Sequence, residues 1–167
     1  FGIMYGMGPH KLSAELGITF GEAKRYIEHY FATHRGVREY IDRTVAEAER
    51  TGYVTTLLGR RRSVSDIHAT NRNVAEFAKR TAINTPIQGS AADLIKKSMI
   101  ELDARLKKEG FRAAMVLQVH DELVLEVPDN EIEAVRAVVK EVMEGAMTLD
   151  VPLVAETGVG AHWLEAH

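Results

Sequence analysis

The stretch that most constrains this chain is 114–127, Ala-Met-Val-Leu-Gln-Val-His-Asp-Glu-Leu-Val-Leu-Glu-Val. Two apolar runs, 115–119 and 123–127, flank the tripeptide His120-Asp121-Glu122. Their β-branched residues and alternation predict two strands. The tripeptide then sits at the tip of a tight antiparallel hairpin, although no Asn-Gly or Asp-Gly is present. Turns favour acidic residues, so one reading is a solvated turn. The other makes Asp121 a carboxylate ligand for a hard divalent cation such as Mg²⁺, with Glu122 and His120 beside it. One aspartate is not a metal site. That reading needs a second carboxylate from elsewhere in the protein.

The chain's 167 residues suffice for one domain with a modest core. No apolar run approaches the ~18 residues of a membrane span, so no membrane partner is expected. The absence of cysteine excludes disulfides, thiolate zinc sites and a thiol nucleophile, and it fits the cytoplasm. A net charge of −3 argues by itself against a nucleic-acid binder, but local patches outweigh the total. The opening run Phe1-Gly2-Ile3-Met4-Tyr5-Gly6 is apolar from its first residue. It reads as the interior of a longer element, and the chain as the C-terminal piece of a longer protein.

Upstream of the hairpin the pattern is helical. Residues 1–7 read as the last turns of a helix broken by Gly6, Gly8 and Pro9. A short helix over 10–16 stops at Gly17. Thr19 caps the next, to about residue 34, with Glu22 completing a capping box. Its apolar stripe is Ala23, Tyr26, Ile27, Tyr30 and Phe31. Gly36 punctuates before a helix over 37–50 with Val37, Tyr40, Ile41, Val45 and Ala48 inward, ended by Gly52. Two short β-like runs around Leu58-Gly59 predict a hairpin carrying Arg60, Arg61 and Arg62. Three successive arginines cannot all face one way. They are either a solvated basic turn or phosphate contacts.

Asn71 or Asn73 caps a helix that Pro86 is expected to interrupt. A second helix is expected to open at 88–93 and run to about residue 109, with Ala91, Leu94, Ile95, Met99, Leu102 and Leu106 inward. The small residues Gly89, Ser90, Ala91 and Ala92 permit close approach of another backbone, as packing or beside a nucleic-acid strand. After the 114–127 hairpin come a helix over 131–147 and a strand over 153–157. Trp163 and Leu164 are expected to anchor the tail. The order predicts an α+β chain with a small antiparallel sheet backed by helices. The histidines lack zinc-protease spacing, and neither a serine nucleophile elbow nor a phosphate-cradling glycine loop is present.

Together, Phe1-Gly2-Ile3-Met4-Tyr5-Gly6, the run Thr85-Pro86-Ile87-Gln88-Gly89-Ser90-Ala91-Ala92-Asp93, Gln118-Val119-His120-Asp121-Glu122 and the ending Gly158-Val159-Gly160 to Trp163-Leu164 resemble the family A DNA polymerases, the bacterial DNA polymerase I group. The resemblance runs in order along essentially the whole chain. It implies a right-hand polymerase fold, with residues 1–52 a partial fingers subdomain and 53–167 the C-terminal part of the palm. It also implies primer–template DNA and dNTPs as partners, two Mg²⁺ ions in the complete site, and a cytoplasmic, nucleoid-associated location.

Residue by residue, the resemblance makes Asp121 a palm metal aspartate, Glu122 a supporting acid and His120 a neighbour of the primer terminus. Phe1 would lie against the nucleotide sugar and base, where Phe in place of Tyr disfavours 3′-deoxy sugars. Tyr5 would stack at the template or nascent pair. Arg80, Asn84 and Gln88, four residues apart on one helical face, would touch the minor groove and primer strand. Arg60, Arg61 and Arg62 would lie close to the duplex. Without the resemblance, Phe1 and Tyr5 read as core aromatics, Arg80 as a surface charge and Gln88 as a helix cap.

The family's second palm aspartate, followed by a Ser-Gln-Ile-Glu-like run, has no match here. Nor do the Arg and Lys expected upstream of Phe1. The missing N-terminal part would supply them, and the piece alone is expected to be inactive. A phage-type RNA polymerase, a metal-dependent nuclease and a non-catalytic DNA-binding piece remain as alternatives.

Overall fold

The computed structural model of the chain describes residues 2–166; Phe1 and the role expected for it lie outside the described residues. Two compact units emerge, Phe1–Ser90 and Ala91–His167, with their boundary inside one long helix.

In the first unit, residues 2–6 form turns where the sequence suggested helix. Met7 N–H donates to the Gly2 carbonyl at 2.9 Å and Gly6 N–H to the Ile3 carbonyl at 3.1 Å. With Gly6 at φ +86°, this is the hydrogen-bond pair by which helices terminate. Pro9 does not merely break structure. It is the first residue of α1 (Pro9–Leu16), where its missing N–H costs nothing. Helix α2 (Phe20–Thr33) has the expected capping box: Glu22 N–H donates to Thr19 Oγ1, and Thr19 N–H to the Glu22 carboxylate. Tyr26 drops out of the apolar stripe and is exposed. Gly36 lies within the first turn of α3 (Arg35–Thr51), not before it, and Gly52 ends α3 in the left-handed region.

Strands β1 (Tyr53–Thr55) and β2 (Arg61–Ser63) form the expected hairpin, with Val54 opposite Arg62 and Thr55 opposite Arg61. Val54, Val64 and the single-turn 3-10 helix Ser65–His68, through Ile67, join Ala48 of α3 and Ala78 and Ala82 of the next helix in one apolar cluster.

The largest departure from the sequence reading is α4 (Arg72–Glu109), one continuous helix of 38 residues with Pro86 inside it. Asn71 precedes its first residue and accepts from Asn73 N–H at 2.9 Å. An internal proline removes one backbone hydrogen bond and crowds the preceding turn. Hydroxyls stitch that region. Thr85 donates to the Thr81 carbonyl at 2.7 Å, Tyr40 to the Ile83 carbonyl at 2.9 Å, and Ser90 to the Pro86 carbonyl. These bonds hold the turns around the Ala82 carbonyl that Pro86 leaves without its N–H, and residues 88–93 lie mid-helix and open nothing.

In the second unit, β3 (Ala114–Val119) and β4 (Glu122–Glu126) form an antiparallel pair. Helix α5 (Ile132–Gly145) follows a 3-10 turn, Asp129–Glu131. Leu102 and Leu106 of α4 pack with Val135, Val138, Val139 and Val142 of α5, and Leu123, Leu125 and Val127 lie against this cluster. This is the small antiparallel sheet backed by helices that the element order predicts. Ala91 is exposed, not inward; Asp93 and Ser98 are buried on α4 instead.

The strand expected over 153–157 does not form. A strand needs a ladder partner, and no described residue pairs with this segment. It is held by side chains: Ala155 N–H donates to Glu144 at 3.1 Å and Arg136 to Thr157 Oγ1 at 3.2 Å. Trp163 and Leu164, in the short α6 (Trp163–Ala166), are 47% and 83% exposed and do not anchor the tail. The tail closes through backbone instead, since Gly158 and Gly160 lie against Glu165 and Ala166 too closely to admit a side chain. No described helix is long and apolar enough to cross a membrane.

Candidate active-site hairpin and nucleic-acid face

The hairpin tip is tighter than the sequence suggested. Val119 pairs with Glu122, so the loop is the two residues His120-Asp121, and Glu122 is the first residue of β4. His120 has φ +52°, and Asp121 is not in the positive-φ region. Positive φ at the first loop residue alone is the sign pattern of a type II′ turn, whose twist suits a hairpin. A histidine there holds a conformation usually left to glycine. Gln118 stabilises it by donating its side-chain amide to the His120 carbonyl. A bulge at Val116, between Met115 and Leu117, bends β3 four residues before the turn.

This geometry leaves the Asp121 and His120 side chains exposed and Glu122 half-buried. Carboxylate oxygens are the hard donors that Mg²⁺ prefers. The described residues nevertheless include no group of three or more His, Asp or Glu side chains placed to hold a metal ion. The donor chemistry fits a divalent cation, and the number of donors falls short of a complete site.

The second set of predicted residues lies in the first unit. Because Pro86 does not end α4, Arg80, Asn84 and Gln88 sit on one continuous helix with four-residue spacing. Arg80 and Gln88 are exposed. The Arg80 guanidinium lies 5.9 Å from the Phe77 ring centroid, and its stem passes Gly6. A Cβ built on Gly6 would lie 3.1 Å from Arg80 Cγ and 4.0 Å from Ile83 Cδ1, so the turn carrying Tyr5 rests directly on this stretch of α4. The sequence-distant Tyr5 and Arg80 segments are thus neighbours. Asn84 Oδ1 is buried without a hydrogen-bond partner among the described residues.

The arginine hairpin splits as expected. Arg61 and Arg62, adjacent in β2, project to opposite sides. Arg61 lies over Tyr53 at 4.6 Å from the ring centroid. Arg60 belongs to the turn, where its N–H donates to Thr56 Oγ1 at 3.1 Å. All three side chains are exposed. The hairpin also explains the small residues of α4, because Leu57 N–H donates to Ser90 Oγ at 2.9 Å beside Gly89. The backbone that approaches there is this hairpin.

The sequence reading overlooked Tyr40, which it placed on the apolar face of α3. A proline inside a periodic helical pattern is the available signal that a donor from elsewhere is needed.

The chain is of the α+β class, with an exposed acidic turn on a hairpin backed by α4 and α5, and with Arg80, Asn84 and Gln88 on an earlier stretch of α4. The comparisons make this specific. The model of DNA polymerase family A matches residues 1–165, and the chain belongs to that family. It is 54% identical over 166 residues to DNA polymerase I of Geobacillus stearothermophilus, covering 99% of this chain and 19% of that protein. It is 52% identical to the thermostable DNA polymerase I of Thermus aquaticus, covering 99% and 20%. Among solved structures, the POL domain of Pol1 from M. smegmatis in complex with DNA primer-template and dNTP matches with a TM-score of 0.95 at 44% identity, over 99% of this chain and 29% of that one. The chain spans about a fifth of the length of the curated relatives it matches. Divalent-metal use is general in this family.

Proposed function

We propose that the protein carrying this chain is a template-directed DNA polymerase of replication or repair, and that this chain supplies its C-terminal fingers and palm portion. In this reading residues 1–52 belong to the fingers and 53–167 to the palm. The reaction joins a primer 3′-hydroxyl, which loses its proton, to the α-phosphate of a dNTP, breaking the α–β phosphoanhydride bond and releasing pyrophosphate. The observation that carries the reading is the agreement of this fold, with Asp121 at its hairpin tip, with a polymerase domain solved on primer-template and dNTP.

Asp121 offers an exposed carboxylate to Mg²⁺, with Glu122 alongside and His120 toward the primer terminus. The complete site takes two ions, which supply Lewis-acid stabilisation of phosphoryl oxygens when bound. Arg80, Asn84 and Gln88 offer donors to the minor groove, where acceptors lie in nearly the same places for every base pair. Tyr5 stacks at the template or nascent pair, and Phe1 contacts the nucleotide. Arg60, Arg61 and Arg62 meet phosphates. The protein works in the cytoplasm at the nucleoid.

The full-length gene product should extend a primed template, and Asp121→Asn should lower the rate by about 10³ or more. Robust extension by that variant overturns the assignment. The 167-residue chain on its own we read as binding duplex without extending it, because its carboxylates do not complete a metal site among the described residues.

A further inference from the structure

Tyr40 and Pro86 act on the same turn of α4. Proline lacks the N–H that would bond the Ala82 carbonyl, and its ring crowds the turn before it. The next carbonyl along, Ile83, receives the Tyr40 hydroxyl from α3 at 2.9 Å. Ile83 is itself buried, and its side chain lies within 4.0 Å of a Cβ built on Gly6. Arg80 and Asn84 flank it on the helix. Burial pushes the Tyr40 hydroxyl above its ordinary pKa against a lowering hydrogen bond from Thr44, so the phenol stays a neutral donor.

We infer that Tyr40 is a positioning residue, whose hydroxyl fixes the path of α4 beside Pro86 and thereby the direction in which Arg80 and Asn84 face a DNA duplex. The DNA half of this inference rests on the polymerase reading above. Helix bends localise at prolines because the ladder is open there. A donor from another helix sets how far such a turn opens. The Asn84 side-chain oxygen, one residue from the bonded carbonyl, is buried at this turn without a hydrogen-bond partner among the described residues.

Tyr40→Phe removes only the hydroxyl and keeps the ring. In the full 167-residue chain, amide exchange over residues 83–88 should accelerate at least about fivefold, with α1 and α5 unchanged. Affinity for a labelled primer–template duplex should fall about three- to tenfold with its salt slope intact, because no phosphate contact is lost. In a Pro86→Ala background the ladder is restored, and Tyr40→Phe should then change affinity by less than about twofold. Unchanged exchange over 83–88, protection lost throughout the chain, or an equal loss of affinity with and without Pro86 overturns the inference. An unaltered chain that ignores duplex DNA overturns the reading that this piece binds duplex on its own, the affinity arm is then run in the full-length protein, and the exchange experiment still decides whether Tyr40 fixes this turn.

Discussion

Thr56 occupies the space that any side chain at position 89 would need. A Cβ built on Gly89 lies 2.7 Å from Thr56 Cγ2, closer than real Cβ contacts come. The neighbouring Leu57 N–H bonds Ser90 Oγ at 2.9 Å, so the arginine hairpin cannot easily slide away. Gly89→Ala is therefore expected to destabilise the chain by about 1–3 kcal/mol, the usual cost of overpacking. Thr56→Ser removes the offending methyl and keeps the oxygen that accepts Arg60 N–H. The double variant should recover most of the loss in urea unfolding. Strictly additive losses would show that the clash is not the cause.

The second core makes a cleaner packing test. Leu102 is wholly buried among Leu106 and the valines of α5, and the same cluster carries Leu123 and Leu125 of the β3–β4 hairpin. Leu102→Ala should cost about 2–5 kcal/mol. Because this core holds β4, exchange of the hairpin amides should rise with it. A loss under about 1 kcal/mol would mean the site collapses around the gap.

Glu131 ties the start of α5 to the start of β3. Burial raises its carboxyl, but hydrogen bonds from the Arg112 side chain, Arg112 N–H and Ala113 N–H outweigh this, and the pKa falls below its ordinary 4.5. A depressed folded pKa gives stability that is present above 4.5 and lost as pH falls below it. Glu131→Gln should be less stable than the parent at neutral pH, with the gap closing on acidification through that window. A gap that stays constant to low pH would assign the effect to lost packing.

How much of this was legible in advance follows from how local each signal is. The Thr19–Glu22 capping box, the Gly17 and Gly52 helix stops and both hairpins are set within a few residues, and the pattern alone predicts them. Pro86 was misread because its rule is local while its remedy is not. Tyr40 lies 43 residues away from the carbonyl it bonds. The 153–157 strand failed for a related reason, since β propensity cannot say whether a ladder partner exists. Among the candidate site residues, the placement of Asp121 at a hairpin tip and of Arg80, Asn84 and Gln88 on one helical face was legible. The contact between the Tyr5 turn and Arg80 was not, because it depends on the tertiary path of the chain.

Arg80 and Tyr40 should be separable by salt. If Arg80 meets a phosphate, Arg80→Ala weakens duplex binding and reduces the slope of log affinity against log salt by about one. If it only stacks on Phe77, the slope stays unchanged. Anisotropy titrations across a salt series distinguish the two.

The His120 backbone gives the last test, because it separates conformation from chemistry at the hairpin tip. A non-glycine residue at φ +52° is strained unless its side chain or surroundings compensate, and a β-branched residue is the worst occupant. His120→Val should cost about 1–2 kcal/mol of stability. His120→Gly should stay within about 1 kcal/mol of the parent, since glycine adopts this region freely but loses more entropy on folding. The glycine variant then keeps the turn that presents Asp121 while removing the imidazole. In the full-length protein, primer extension that survives His120→Gly but not His120→Val would make His120 a turn residue only. Extension lost in the stable glycine variant would show that the imidazole itself acts at the primer terminus.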